Sequence, residues 1–143
     1  MNLNPEIWGP QYWFMLHTLA LNYPKHPNAV TKKKYYDFIS NMPLFIPVEQ
    51  IATNFSKLLD LYPVTPYLDS KESFVKWVHF IHNKVNEFLH KPKISLEDFY
   101  INYYEYYKPK EIKSMEASKW KSKLIYTITI LSIVFLGLYL YNK

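Results

Sequence analysis

The feature that most constrains this chain is a run of eighteen residues without a charged side chain, residues 124–141. Written as a helix, a run of this length is at the lower limit of what crosses the hydrocarbon core of a bilayer. Trp120 and Tyr126 lie near one end and Tyr139 and Tyr141 at the other, as aromatic rings do at membrane interfaces. We therefore predict a transmembrane tail anchor. The alternative, a buried or dimerising soluble helix, would have to be apolar on every face.

Lysines are distributed unevenly about this run. Lys119, Lys121 and Lys123 precede it, and only Lys143 follows it. Because the cytoplasmic flanks of membrane spans are enriched in lysine and arginine, the N-terminal part is expected to face the cytosol. The charged residues 109–123 are predicted to link that part to the anchor of a single-pass membrane protein.

The composition excludes several kinds of site. Two glycines are too few for a Rossmann or P-loop nucleotide site, and zero cysteines exclude a disulfide or a thiolate nucleophile within the chain. The formal net charge of +5 would suit an anionic partner. Its positive charges are all lysine, however, which a coding bias of an AT-rich genome explains better, so no nucleic-acid partner is predicted.

Helical periodicity dominates everything upstream of the linker, and no strand-like alternation appears. Thr31 is predicted to cap the second of five helices, Pro47 to lie in the first turn of the third, and Ser70 to cap the fourth. Ser95 followed by Asp98 resembles a capping box for the fifth. The predicted helices cover residues 6–22, 31–41, 47–61, 70–90 and 95–107.

Two of these helices carry side chains that suit a ligand. Trp13 and His17 are four residues apart and share one face of the first helix. The fourth helix has a polar stripe beside its apolar one, and neutral His and Asn reach base and ribose atoms without burying a charge. We interpret the polar stripe as a ligand wall, with hydrogen bonding inside the core as the alternative. The apolar stripe is Phe74, Val78, Ile81, Val85 and Phe88; the polar stripe is His79, His82, Asn83 and Asn86.

Two further hypotheses, a metal site and a contact with lipid phosphate, are less favoured. His79 and His82 have no third ligand at a suitable spacing, so no metal site is predicted. Lys32, Lys33 and Lys34 could touch lipid phosphate, but a solvated helix start is the preferred interpretation.

The aromatic–histidine segments form two blocks whose order and separation are specific. The first block is WGPQYWFMLHTLA at residues 8–20, closed by Tyr23 and Pro24, and the second is WVHFIHNKVN at residues 77–86, followed by Lys91 and Pro92.

These blocks resemble the FAD-linked sulfhydryl oxidases of the Erv/ALR family, over residues 7–107. The resemblance implies an all-α domain at residues 1–108, a four-helix bundle plus a short fifth helix, with FAD held among helix faces. Pro10 departs from the basic residue common in the family, and Lys84, Lys91 or Lys93 could serve the phosphates instead. The positions implied for FAD contacts are Gly9, Trp13, His17, Tyr23, His82, Asn83, Val85, Asn86, Lys91 and Tyr103.

The resemblance also implies chemistry that this chain cannot perform alone. In the family, a Cys-x-x-Cys pair after a proline reduces the flavin; here Val48 and Ile51 follow Pro47, and Leu96 lies about where a structural cysteine would be. In that step a thiolate attacks the flavin ring, so it requires a sulfur nucleophile. The isolated chain is therefore expected not to oxidise dithiols, unless the cysteines of a partner reach the flavin.

Three functional hypotheses follow. By lineage the chain is a sulfhydryl oxidase that forms disulfides in substrate proteins, passing electrons through FAD to oxygen. The alternative is a catalytically inactive flavin-binding scaffold, or a dimer partner of an active paralogue, in a viral membrane, since short family members occur in large cytoplasmic DNA viruses. The third is a structural membrane protein without flavin. The resemblance further implies a homodimer through the first two helices, where Phe14, Leu21 or Tyr35 could make the contact.

Overall fold

The structure, a computed structural model, describes residues 3–142, and this part of the chain contains helices and no strand. The all-α prediction is confirmed, and Lys143 lies outside the described residues. The elements are α1 (Pro5–Leu21), α2 (Ala29–Asn41), α3 (Glu49–Leu61), α4 (Lys71–Phe88), α5 (Leu96–Glu105) and α6 (Lys110–Tyr141), with short 3-10 helices at Met42–Phe45 and Thr65–Tyr67.

Polar side chains cap the starts of α2 and α4, although not always the predicted ones. Asn28, not Thr31, caps α2: its side-chain oxygen accepts the Thr31 N–H at 2.8 Å, so the prediction of Thr31 as the cap was wrong. Val48 is the N-cap of α3, which leaves Pro47 one residue outside the helix rather than in its first turn. Ser70 caps α4 through the Ser73 N–H, as predicted.

The ends of α4 and α5 were predicted slightly too long. After α4, His90 adopts a left-handed φ of 54°, and the Lys91 N–H donates to the Asn86 carbonyl at 2.8 Å. This is the Schellman pattern, with histidine at the position that glycine usually occupies. Ser95 accepts the Asp98 N–H at 3.0 Å, which confirms the predicted cap of α5.

The residues up to Ile101 and those from Asn102 onward form two separate sets of contacts. In the first set, α1 and α4 pack most extensively against each other. Phe74, Val78 and Ile81 of the predicted apolar stripe are buried, whereas Phe88, in the last turn of α4, is 60% exposed and was wrongly placed in the core. Burial of this α4 face holds the polar stripe beside α1.

The second set consists largely of one long helix. The charged segment predicted as a linker is helical from Lys110 and continues into residues 124–141 without a break, so α6 runs for 32 residues. Its most apolar eighteen residues have a mean hydropathy of 2.1, and none of them is buried. By length and composition, α6 can therefore cross a membrane.

Candidate functional site

The centre of the candidate site is a hydrogen bond between two histidines on different helices. His17 Nε2 of α1 lies 2.9 Å from His82 Nδ1 of α4, so one ring donates an N–H and the other accepts it. His17 is only 5% exposed, and its other nitrogen, Nδ1, has no hydrogen-bond partner among the described residues. A buried polar atom without a partner is rare, and it is often explained by a ligand or water.

Flat aromatic rings surround this pair. The Trp13 indole stacks on His82 with the ring centroids 4.1 Å apart and the planes 8° from parallel. Phe55 of α3 meets the same indole edge-on at 6.3 Å, and Phe99 of α5 lies 4.4 Å from His17. We refer to Trp13, His17 and His82 as the indole–imidazole cluster. It is reached by four helices, α1, α3, α4 and α5.

The environment keeps both histidines neutral. Burial lowers the pKa of His17 to about 3, helped by the nearby His82 and His79. Burial also lowers the pKa of His82 to about 4, helped by His79 and by the ammonium group of Lys91. The cluster therefore offers uncharged ring nitrogens and flat rings, which suit a heteroaromatic ligand better than an anion.

Acid should weaken the fold through these two rings. Between the folded-state values near 3 and 4 and the ordinary value of 6.5, the unfolded chain binds protons that the folded chain excludes. The free energy of unfolding is therefore highest above pH 6.5 and decreases as the pH drops. The decrease is about 2 kcal/mol per histidine at roughly pH 5. Urea unfolding at about pH 7 and pH 5 measures this loss.

A double variant isolates the cause of this acid sensitivity. His17→Phe with His82→Phe replaces both hydrogen-bonding partners by apolar rings, so neither is left unsatisfied, and it should remove most of the pH dependence. His26→Gln, at an exposed histidine that is not part of the cluster, is the control. If the double variant remains as acid-sensitive as the native chain, the effect has another origin.

The polar stripe of α4 splits into two roles. His82 makes the hydrogen bond to His17 of α1, which fits the alternative of hydrogen bonding inside the core, and its role toward a ligand stays a prediction. The Asn83 side chain instead donates to the Ile94 carbonyl at 2.8 Å and accepts the Ile94 N–H at 2.9 Å, and His79 Nε2 donates to the same carbonyl at 2.9 Å. These bonds hold the loop after α4, which carries Lys91, against the helix. Asn83 thus positions a loop rather than facing open space.

The other predicted contacts are distributed unevenly. Tyr23 is buried, donates to the Leu68 carbonyl at 2.8 Å and packs on Tyr35 and Phe74, so its contacts belong to the core. Asn86 is buried and Val85 half-buried, both on α4. Their roles, like that of Tyr23, remain predictions.

Three further predicted contacts are not part of the indole–imidazole cluster. Gly9 lies in α1, and a Cβ atom added there would meet no atom within 4 Å. Lys91 is exposed, although its charge is felt by His82. The Tyr103 hydroxyl lies 2.9 Å from that of Tyr107 in the second set of contacts.

Sequence reasoning missed Phe55 and Phe99. Both are buried apolar residues on helices whose sequences show ordinary amphipathic patterns, so nothing distinguished them from core positions. No group of three or more His, Asp or Glu side chains that could hold a metal ion occurs within residues 3–142.

The fold agrees with the comparisons to known proteins. Residues 10–108 match the profile of the Erv1 / Alr family. The chain belongs to this family. Structures similar to it include the yeast Erv1 core, with a TM-score of 0.61 and 29% identity over 66% of this chain and 79% of that one. The FAD-binding domain of Erv1 from Saccharomyces cerevisiae gives 0.62 and 30%, covering 66% and 88%.

Sequence relatives in the Erv1/Alr family are both viral and cellular. A probable FAD-linked sulfhydryl oxidase of Acanthamoeba polyphaga mimivirus is 35% identical over 65% of this chain and 66% of its own length. The mitochondrial FAD-linked sulfhydryl oxidase erv1 of Schizosaccharomyces pombe is 34% identical over 59% and 46%. A putative one of Invertebrate iridescent virus 6 is 30% identical over 64% and 86%. The chain therefore spans less than half of the fission yeast relative.

Within the Erv1/Alr match, the positions predicted to correspond to the family's redox cysteines hold other residues. Val48 caps α3 and Ile51 lies in its first turn, both half-buried, and the whole chain has no cysteine. The prediction that the family's dithiol is missing is thus confirmed for this chain.

Proposed function

We propose that this protein binds FAD at the indole–imidazole cluster and does not oxidise dithiols by itself. The observation that carries the proposal is His17 Nδ1, a buried ring nitrogen without a partner in the described chain, next to stacked flat rings. The neutral ring nitrogens can hydrogen-bond to an isoalloxazine or adenine ring, and the flat aromatic faces can stack on it. Matches to FAD-linked relatives support the same cofactor.

Several side chains would hold the cofactor. Trp13 and His82 touch each other at 4.1 Å, which leaves no room between them, so a planar group would stack against the pair from outside. Lys91, presented by the loop that Asn83 holds, would supply positive charge to the diphosphate. When bound, FAD supplies an electron acceptor, and the chain's own residues bind, orient and shield it.

The missing chemistry lies at the start of α3. Val48 and Ile51 have apolar side chains that can pack against a ring but cannot form a thiolate or a disulfide. Any thiol oxidation would need cysteines from another protein. The proposal therefore favours a flavin-bearing scaffold, or a partner of an active paralogue, over an independent oxidase.

A titration with FAD tests the binding site through Gly9. The native chain should bind one FAD per chain and turn yellow. Gly9→Ala should weaken binding, because its Cβ meets no protein atom within 4 Å and would contact a cofactor lying over α1. The same change replaces glycine by a better helix former, by about 1 kcal/mol, so unfolding would not explain a loss.

Gly137→Ala is the matched control, since its Cβ also meets nothing within 4 Å and it lies in α6. It should bind FAD as the native chain does. A native chain that stays colourless in excess FAD contradicts the proposed function. Normal binding by Gly9→Ala contradicts only the placement over Gly9.

We further propose a membrane anchor over residues 124–141, with the FAD-binding domain, ending near residue 108, on the cytosolic side. The end of the family match at residue 108 and the apolarity of α6 support this arrangement. The three lysines before the span support the orientation. Viral relatives support a virion or other viral membrane as the setting.

We also propose a homodimer through α1 and α2. Tyr35 is an unsuitable contact, because its ring packs edge-on against Tyr23 and Phe74. Met15, Tyr36 and Phe38 are exposed apolar side chains on the same two helices and could be covered by a second copy. Sedimentation of a variant with Met15→Glu and Tyr36→Glu would test this contact.

A further inference from the structure

Three lysines of α6 lie just before its apolar run. Among the residues that the structure describes, no acidic group pairs with them. Lys119, Lys121 and Lys123 form no ion pair within residues 3–142, and no Asp or Glu occurs after Glu116 in the sequence. Glu116 itself accepts from Lys108 at 2.8 Å, on the side away from the run. Three ammonium groups are therefore left for an external anion.

The helix geometry places these lysines around α6 rather than on one face. At 3.6 residues per turn, Lys121 lies about 200° from Lys119, and Lys123 only about 40° from it. We call Lys119, Lys121 and Lys123 the lysine collar. Lysines on one face of the helix would bind a partner that lies beside it. Lysines on opposite faces can instead bind anions that surround the helix, as lipid headgroups do.

The length of the collar along the helix axis matches the headgroup region of a bilayer. Lys119 to Lys123 spans about 6 Å along the axis, and one headgroup region of a bilayer is about 5–7 Å thick. The apolar run begins at the next residue, Leu124, so the collar would lie at headgroup depth. Trp120 is 74% exposed and lies under the Lys123 ammonium at 5.8 Å, which is typical of an interfacial aromatic ring.

We infer that the lysine collar binds the headgroups of anionic phospholipids in the leaflet that α6 enters. Unpaired ammonium groups at headgroup depth attract lipids with a net negative charge, worth up to about fivefold in association per lysine at low salt. The inference rests on the proposed membrane anchor and goes beyond it, because an apolar span needs no particular lipid charge.

The test uses the full chain in vesicles of phosphatidylcholine with a minority of phosphatidylserine. Electron spin resonance of spin-labelled lipids compares how strongly each lipid associates with the protein. The native chain should favour labelled phosphatidylserine several-fold over phosphatidylcholine, and salt of about 1 M should suppress the preference by screening. The combined variant Lys119→Gln, Lys121→Gln, Lys123→Gln should lower the ratio to near one.

The matched control removes the same charge elsewhere: Lys32→Gln, Lys33→Gln, Lys34→Gln on α2 should keep the preference. A native ratio near one, or a ratio that survives loss of the collar, overturns the inference. Alkaline extraction of the vesicles separates the two proposals. A chain that alkali releases refutes the anchor and the collar together, whereas a retained chain without lipid preference refutes only the collar.

Discussion

The double substitution Val48→Cys and Ile51→Cys is expected to give the FAD-loaded protein a dithiol oxidase activity, which we propose the native chain lacks. The two positions are three apart at the start of α3, with Val48 as its N-cap and Ile51 in its first turn, which reproduces the Cys-x-x-Cys spacing. The positive end of the helix favours a thiolate there. Oxygen consumption with dithiothreitol should rise from background to the order of one turnover per second.

Three variants make this result specific. Each single cysteine substitution should stay near background, since one thiol cannot form the internal disulfide. Val48→Ser with Ile51→Ser adds polar groups of similar size without sulfur and should also be inactive. FAD-dependent turnover by the native chain would show that our assignment of inactivity is wrong. An FAD-loaded double-cysteine variant that stays inactive would show that more than the redox pair has been lost.

Trp13→Ala is expected to remove most bound FAD. The indole stacks on His82 and meets Phe55 edge-on, so its loss takes away the flat surface proposed to hold the cofactor. Base–aromatic stacking contributes about 1–3 kcal/mol, which corresponds to a roughly 5- to 150-fold weaker Kd. His82→Ala should act similarly and also leaves His17 Nε2 without its partner. Absorbance of the purified protein near the flavin maximum measures retention.

Trp8→Ala is the control on the same helix. Trp8 donates from its indole nitrogen to the Leu3 carbonyl at 3.1 Å and packs on Tyr12, outside the indole–imidazole cluster. It should therefore keep its FAD. Circular dichroism at equal concentration separates cofactor loss from unfolding. A folded Trp13→Ala protein that stays as yellow as the native one would place the flavin elsewhere.

The sequence identified the centre of the candidate site because its chemistry is local to two helices. Trp13 and His17 share a face through their spacing of four, and His82 lies on the α4 face that packs against α1. The spacing of polar residues on α4 could not show, however, that His82 and Asn83 have different partners. Which side chain meets α1 and which holds the loop at Ile94 depends on the path of the chain after His90. That path is a tertiary property.

Boundaries failed where two local signals competed. Asn28 and Thr31 are both good caps, and the chain uses the earlier one, so Thr31 falls inside α2. The segment after Pro109 contains five lysines among alanine, glutamate and methionine, which favour helix as much as they favour solvent. The predicted linker is thus the first part of α6.

Because α6 is continuous, residues 110–123 would move as a rigid extension of its apolar run. From Lys110 to the start of the apolar run the helix rises about 21 Å with no proline or glycine to bend it. Membrane-crossing helices tilt by about 20° on average, and a given apolar run tilts further in a thinner bilayer. Such a tilt would carry residue 110 sideways by about 7 Å. A change in bilayer thickness would thus become lateral motion well above the lipid surface.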